Sequence, residues 1–238
     1  EERSFTKDED IEWVVHSSQL TPKYEKRIYP IPRIGLVNGL AVYGPNTGAL
    51  LEIEVTAIKA KDKGSVYVTG IVEEESIGSQ TKSIRRKSMA KGSVDNVLTV
   101  LRSLDVLPEG YDIHINFPGG IPIDGPSAGI AMATGVYSAV HRTYVNNEVA
   151  MTGEISIHGE VKPIGGVYAK IKAAKKAGAK KVIIPAENMQ PFLYTIKGIE
   201  IIPVRKLKEV FELTFMQENM HRELDVHTKV DETDAQSM

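Results

Sequence analysis

A run of small and apolar residues at positions 127–141 places the strongest constraint on how this chain folds. It reads Ser-Ala-Gly-Ile-Ala-Met-Ala-Thr-Gly-Val-Tyr-Ser-Ala-Val-His, and its apolar residues cover the whole circumference of a helix rather than one stripe. A helix of that kind is buried on all sides. No apolar run in the chain approaches the roughly 18 residues that mark a membrane span. The sequence therefore predicts a buried helix inside a globular domain.

Strand and helix patterns surround this central segment. Residues 51–57 and 112–117 alternate apolar with polar side chains, as half-buried strands do. Further strands are expected at residues 65–72, 148–151, 154–157, 181–185 and 199–203. Further helices are expected at residues 77–104, 166–177 and 204–215, the first with Gly92 as an interruption. The chain is thus expected to mix strands with helices.

The two ends of the chain differ from the middle. Residues 1–30 are charged and irregular, and Pro22, Pro30 and the nearby Pro32 prevent a continuous helix there. Residues beyond about 217 are mostly charged or polar, with little to bury. We expect a linker or the end of an upstream module at 1–30, one folded domain at 31–215 and a disordered tail at 216–238. The missing initiator methionine suggests a piece of a longer protein.

Composition excludes several classes of function. Lysine plus arginine number 29 against 31 aspartates plus glutamates, a net charge of −2 that argues against steering toward nucleic acid. A basic run at 82–91 has no interleaved aromatic residues for base stacking, so we expect a solvated face. The cysteine count of 0 excludes disulfides, thiol catalysis and thiolate metal sites. No histidine pair has metal-ligand spacing on a helix face, and no metal is expected.

Ser127 is the first candidate catalytic residue. It lies in Asp124-Gly-Pro-Ser-Ala-Gly129, at the start of the buried helix, where unpaired backbone N–H groups are available. Such donors stabilise the oxyanion that forms when a hydroxyl attacks a carbonyl. Taken alone, the motif fits an ordinary capped helix start with an early proline even better. Both interpretations of Ser127 stay open at this point.

Lys170 is the second candidate. At about 100° per residue it falls within the apolar stripe of its helix, together with Ala174, while Lys172 and Lys176 fall on the opposite side. Burial penalises a charged ammonium, so a buried lysine has a lowered pKa and acts as a base near neutral pH. The alternative is that the stem is buried and the amine reaches water, which taken alone is the better interpretation.

The two candidates gain weight together, because a serine nucleophile needs a base and a desolvated lysine is one known base. Histidine is a poor alternative. His141 lies at the far end of the serine's own helix, about 21 Å away for about 14 residues, and His114 lies within an expected strand. No pair of carboxylates stands out as a glycosidase-type pair.

Three linked motifs resemble the Lon family of ATP-dependent proteases. They are residues 112–129, with the Pro-Gly-Gly and Asp-Gly-Pro-Ser-Ala-Gly segments, residues 149–155, with Met-Thr-Gly-Glu, and residues 159–170, with Pro-Ile-Gly-Gly. Lys170 follows Ser127 by 43 residues, a spacing that matches the family. The resemblance covers roughly residues 35–213.

This resemblance implies a serine–lysine endopeptidase. Ser127 would be the nucleophile, and Lys170 the general base and later the acid. Thr152 would hydrogen-bond the lysine amine and orient it. Asp124 and Gly125 would shape the oxyanion hole and the serine loop. The alternative is a non-catalytic binding or assembly module on the same fold, and a third interpretation is a nucleic-acid-binding domain that uses the basic run at 82–91.

The resemblance also implies a fold and partners. The family's peptidase domain is α+β, similar to ribosomal protein S5 domain 2, with mixed sheets and packed helices. It assembles as a hexameric ring and acts on unfolded or regulatory polypeptides delivered by an attached AAA+ ATPase. The phosphate-binding loop Gly-x-x-x-x-Gly-Lys-Ser/Thr does not occur in the sequence, so no cofactor is expected in this chain. ATP with Mg²⁺ is expected only on an upstream ATPase module. A cytoplasmic location is expected, with membrane association only through upstream segments.

Overall fold

The computed structural model describes residues 26–42, 47–70, 76–77, 84–85, 89–119 and 126–216. The helices are α1 Met89–Ser103, α2 Gly129–His141, α3 Val167–Lys176 and α4 Leu207–Thr214. The strands are β1 Arg33–Ile34, β2 Leu36–Val42, β3 Gly48–Lys59, β4 Val66–Thr69, β5 Ser76–Ile77, β6 Ile84–Arg85, β7 Tyr111–Asn116, β8 Tyr144–Val145, β9 Val149–Met151, β10 Glu154–Ile155, β11 Val161–Lys162, β12 Lys181–Pro185 and β13 Glu200–Val204. Short 3₁₀ turns at Pro126–Ala128, Ala186–Asn188 and Pro191–Thr195 connect them.

A mixed sheet of seven strands organises the described part of the chain, in the order β13-β12-β9-β2-β3-β7-β4. Strands β13, β12, β9 and β2 run parallel to one another. Strand β3 is antiparallel to both β2 and β7, and the edge strand β4 is parallel to β7. Three two-stranded ladders pair β1 with β8, β5 with β6 and β10 with β11. The expected mixture of strands and helices is confirmed, as a mixed α/β structure.

Both faces of the large sheet are covered by helices. Successive side chains of a strand point to opposite faces, and in β12 Ile183 packs in one core cluster while Val182 and Ile184 pack in the other. Helices α1, α2 and α4 contribute to the cluster of Ile183. Helix α3 contributes Ile171 and Ala174 to the second cluster. Helices α2 and α3 therefore lie on opposite faces.

The central helix α2 has the burial expected from its sequence. Eleven of its 13 residues are buried, including Thr134 and Ser138, whose hydroxyls donate to the backbone carbonyls of Ile130 and Thr143. The helix ends where Arg142 adopts a left-handed conformation with φ of 53°. The prediction of a buried helix is confirmed.

The prediction of helix over residues 77–104 is wrong in its first half. Residues 76–77 and 84–85 form an antiparallel pair of strands, and the helix begins only at Met89. From there it runs without a break through Gly92. The expected linker up to residue 25, the expected tail from residue 217 and half of the basic run at 82–91 lie outside the described residues. Among the residues described, no helix has the length and apolar character that a membrane crossing requires.

Candidate active site

Ser127 lies in the 3₁₀ turn Pro126–Ala128 that leads into α2, and its side chain is half-buried. The N-cap of α2 is Ala128, and no side chain caps the helix start. The interpretation of Ser127 as a capping serine is therefore wrong. Among the described residues the Ser127 hydroxyl has no hydrogen-bond partner, which leaves it available to a substrate.

Two hydrogen bonds fix the backbone of Ser127 against the segment that follows β9. The Ser127 carbonyl accepts from the Gly153 N–H at 2.9 Å and from the Thr152 hydroxyl at 3.1 Å. One turn later, the Ile130 N–H donates to the Gly153 carbonyl at 3.1 Å. Residues 127–130 are thereby tied to residues 152–153, which sets where the serine side chain emerges.

Gly129 permits this close approach. A Cβ at that position would lie 2.9 Å from the backbone nitrogen of Ile155 and 3.3 Å from the Gly153 carbonyl oxygen. Both contacts are with backbone atoms that cannot move aside as a flexible side chain does. The absence of a side chain at Gly129 therefore lets the serine turn lie directly on the β9–β10 connection.

Lys170 is buried within the protein, with 2% of its surface exposed. Its Nζ donates a hydrogen bond to the Thr152 hydroxyl oxygen at 3.1 Å. The amine thus ends in the interior and not in water, so the alternative of a buried stem with a solvated amine is wrong. Lys172 and Lys176 on the same helix are exposed, as the helical arithmetic predicts.

Burial lowers the pKa of Lys170 from its ordinary value of 10.5 to about 8. Desolvation is the physical cause, since a charged ammonium loses its hydration in the protein interior while the neutral amine loses little. A pKa of about 8 leaves a substantial population of the neutral amine near physiological pH. The neutral form carries the lone pair that a general base needs.

Thr152 links the two candidate residues. It is fully buried directly after β9, and its backbone N–H donates to the Ile183 carbonyl of β12 at 3.0 Å. A hydroxyl has one proton to donate, and that proton goes to the Ser127 carbonyl. Thr152 therefore accepts from the amine of Lys170, and the lone pair of a neutral Lys170 stays free for a different proton.

Elements from both faces of the large sheet contribute to the site. Ser127 precedes α2 on one face, Lys170 lies on α3 on the other, and Thr152 stands at the carboxyl end of β9 between them. Asp124 and Gly125 lie outside the described residues. The described residues contain no group of three or more histidines, aspartates or glutamates that could hold a metal ion.

Comparison with known proteins assigns the family. A sequence model of the Lon protease (S16) C-terminal proteolytic domain matches residues 18–217. The chain belongs to this family. The resemblance drawn from the three sequence motifs is thereby confirmed.

Individual Lon proteases match over most of the chain. "Lon protease 2" of Bacillus subtilis is 70% identical over 204 residues, which are 86% of this chain and 37% of that protein. "Archaeal Lon protease" of Archaeoglobus fulgidus is 40% identical over 188 residues, 75% of this chain and 28% of that protein. "Lon protease" of Clostridioides difficile is 37% identical over 200 residues, 81% of this chain and 24% of that protein. The chain thus spans between about a quarter and two fifths of these Lon relatives.

Gly153 is a site residue that the sequence analysis did not single out. Its N–H holds the Ser127 carbonyl and its own carbonyl holds the Ile130 N–H, so both of its backbone polar groups serve the serine turn. A Cβ at Gly153 would lie 2.8 Å from a methyl carbon of Val161. The signal was present, since Gly153 follows Thr152 in the Met-Thr-Gly motif.

Proposed function

We propose that this chain is a serine endopeptidase with a Ser127–Lys170 dyad. It is the proteolytic module of an ATP-dependent Lon-type protease that degrades unfolded or regulatory proteins. The observation that carries the proposal is the buried Lys170 amine, which donates at 3.1 Å to the hydroxyl that also holds the Ser127 carbonyl.

Acylation begins with the neutral amine of Lys170. It takes the hydroxyl proton of Ser127 while the serine Oγ bonds to the carbonyl carbon of the scissile peptide, giving a tetrahedral oxyanion and an ammonium. The ammonium then returns its proton to the leaving nitrogen as the C–N bond breaks. An acyl-serine and a free amine product result.

Deacylation repeats the same proton transfers with water in place of serine. Lys170 takes a proton from a water molecule, whose oxygen attacks the acyl carbon, and returns it to the serine oxygen as the ester bond breaks. Asp124 and Gly125 lie at the sequence positions from which the serine loop shapes the oxyanion hole. Preorganised backbone donors at such a site typically contribute about 3 kcal/mol of transition-state stabilisation each.

The finer structural and biological assignments are also proposals. The fold is similar to ribosomal protein S5 domain 2, and the peptidase domain spans 31–215, between a linker at 1–30 and a tail at 216–238. The domain forms a homo-hexameric ring with an attached AAA+ ATPase module. It holds no cofactor itself, binds polypeptides rather than nucleic acid and works in the cytoplasm. Family membership supports the action on polypeptides.

Three substitutions test the dyad in a fluorogenic peptide assay. Ser127→Ala and Lys170→Ala are expected to abolish cleavage, and Lys170→Arg is expected not to restore it because a guanidinium does not give up its proton. Lys172→Ala is the matched control, since it removes an exposed lysine of the same helix. Undiminished cleavage by Ser127→Ala or Lys170→Ala would refute the assignment and favour the non-catalytic alternative.

A further inference from the structure

Helix α3 lacks a local device that fixes its first turn. Its N-cap is Gly166, in a left-handed conformation with φ of 67°, and no side chain caps the helix start. Gly165 precedes it, so two consecutive glycines connect α3 to the strand β11 and its following loop. Glycine restricts the backbone least of all residues. The position of the helix start therefore depends on contacts from other parts of the chain.

The side chain of Asn188 holds that connection from a distant part of the chain. Its Oδ1 accepts from the Ile164 N–H at 2.8 Å, and its Nδ2 donates to the Ile164 carbonyl at 2.9 Å. Both backbone polar groups of one residue are thus satisfied by one amide, as in a strand ladder. The two bonds fix the position and the orientation of the loop two residues before the α3 N-cap.

The same strand that presents Asn188 also positions Thr152. Asn188 ends the 3₁₀ turn Ala186–Asn188, which directly follows β12. Within β12, the Ile183 carbonyl accepts from the Thr152 N–H at 3.0 Å. At the other end of the loop, the Lys170 N–H donates to the Gly166 carbonyl at 3.1 Å. Strand β12 and its continuation therefore hold both partners of the Lys170–Thr152 hydrogen bond.

We propose that Asn188 is a positioning residue that sets the place of the Lys170 amine against Thr152. This inference rests on the proposed Ser127–Lys170 function. Asn188 has no contact with the reacting atoms; it acts through Ile164 and the first turn of α3. Without it, the helix start loosens, water reaches the amine, and the hydrogen bond to Thr152 is made less often.

The test is the substitution Asn188→Asp in the 238-residue chain. Aspartate has the same shape and still accepts from the Ile164 N–H, but it cannot donate to the Ile164 carbonyl and sets a negative charge beside it. We expect a loss in kcat of about 10- to 100-fold at pH 7, typical of a small misplacement of a catalytic group. KM for the peptide should change by less than about twofold, because a positioning role affects the placement of the catalytic amine rather than substrate binding.

A second readout does not depend on activity. Titration of Lys170, followed by the NMR signal of its labelled Cε, should move from about 8 in the parent chain toward the ordinary 10.5 in Asn188→Asp, because the amine becomes hydrated. The acid limb of the kcat profile should move to higher pH with it. If Asn188→Asp does not fold, Asn188→Ser removes both bonds without adding a charge.

Asn147→Asp is the matched control. The Asn147 Nδ2 also donates to a backbone carbonyl, that of Tyr29, at 2.7 Å. Loss of this hydrogen bond should leave kcat and the pKa of Lys170 unchanged.

Adding Gly165→Ala to Asn188→Asp should recover part of the lost kcat, because a Cβ at position 165 meets nothing within 4 Å and stiffens the loop.

Two kinds of failure can be told apart. An unchanged Lys170 titration and an unchanged pH profile in a folded Asn188→Asp variant would overturn the positioning role. An equal shift in Asn147→Asp would overturn it too, since the effect would then be general. Cleavage that persists in Ser127→Ala would instead overturn the dyad, while the Lys170 titration would still report whether Asn188 fixes the amine.

Discussion

Lys170 shows how a reactive group can lower the stability of its own domain. Its amine is buried and contacts a neutral hydroxyl, and no charged group contributes to its lowered pKa, only desolvation. A buried charge without a counter-charge is unfavourable, and the chain responds by favouring the neutral amine. The same desolvation that suits Lys170 to the proposed role of base therefore opposes folding at neutral pH.

Replacing Lys170 by methionine should separate these two effects. The pKa is lower in the folded state, so the unfolded chain binds more protons and stability rises as pH rises from about 8 to 10.5. Below that window the full penalty applies, about 3 kcal/mol. After subtracting about 1 kcal/mol for the lost hydrogen bond, Lys170→Met should be about 2 kcal/mol more stable than the parent chain at pH 7.

Urea unfolding of both proteins at pH 7 and at pH 10.5 measures this difference. We expect the advantage of Lys170→Met to vanish near pH 10.5, where the parent lysine is neutral in the folded state and about half neutral in the unfolded chain. Other lysines titrate equally in the two proteins and cancel. An advantage that does not depend on pH would show that packing, and not desolvation, governs the difference.

Thr152 offers a test of the link between the two residues of the proposed dyad. Thr152→Val keeps the shape but removes the oxygen that accepts from Lys170 and the proton that holds the Ser127 carbonyl. A buried polar group left without a partner costs about 1–3 kcal/mol, so we expect peptide cleavage to fall about 10- to 100-fold. Thr152→Ser keeps the hydroxyl and should retain most activity; equal loss in both variants would contradict the hydroxyl's role.

Individual residues of the site were predictable to different degrees. Helical spacing alone placed Lys170 in the apolar stripe with Ala174 and left Lys172 outside it, but it did not decide whether the amine ends in the interior or in water. The bond from Lys170 to Thr152 was expected only through the family resemblance, since 18 residues separate the two. Asn188 and Ile164 carried no signal, because a side-chain contact across 24 residues depends on how the strands are arranged in space.

The contact between the serine turn and the β9–β10 connection allows a paired test of two helical glycines. Gly129→Ala places a Cβ against the backbone of Ile155, so the turn must shift; we expect a loss of about 1–3 kcal/mol in stability together with a loss of cleavage. Gly92→Ala in α1 meets nothing within 4 Å and should gain about 0.5–1 kcal/mol.

Thermal unfolding and peptide cleavage of the two alanine variants provide the measurement. Gly92→Ala should unfold at a higher temperature than the parent and cleave at the parent rate. If Gly129→Ala were as stable and as active as Gly92→Ala, the close packing of the serine turn would carry no function.

Strands and helices were predictable where one face of the element is buried, as in a strand with alternating apolar residues, or where all its faces are buried. The alternation of β3 and the all-round apolar surface of α2 both gave the right element. Residues 76–77 and 84–85 form strands, but the sequence pattern indicated a helix from residue 77. Over so short a stretch, the few apolar residues fit helical and extended spacing equally well. The place of β9 between β2 and β12 was not predictable, since parallel neighbours are joined through long connections.

In the described part of the domain, the large sheet has a separate core cluster on each face, and strands β2, β3, β9 and β12 contribute to both clusters. We therefore expect a single unfolding transition. Ile115→Ala on one face and Ile184→Ala on the other each remove a fully buried side chain and should each cost about 2–5 kcal/mol. Circular dichroism and intrinsic fluorescence should report coincident curves in both variants. Two separated transitions would show that the faces fold independently.

The burial of the Lys170 amine determines how its pKa responds to salt. Mobile ions screen interactions between charges that face the solvent, and they act much less on buried groups. If neighbouring charges had shifted the pKa of a lysine, added salt would screen those charges and change its pKa. Lys170 owes its lowered pKa to desolvation. The acid limb of the pH profile for peptide cleavage should therefore stay in place between about 0.1 M and about 1 M salt. A domain built this way keeps its working pH range as the osmotic state of its surroundings changes.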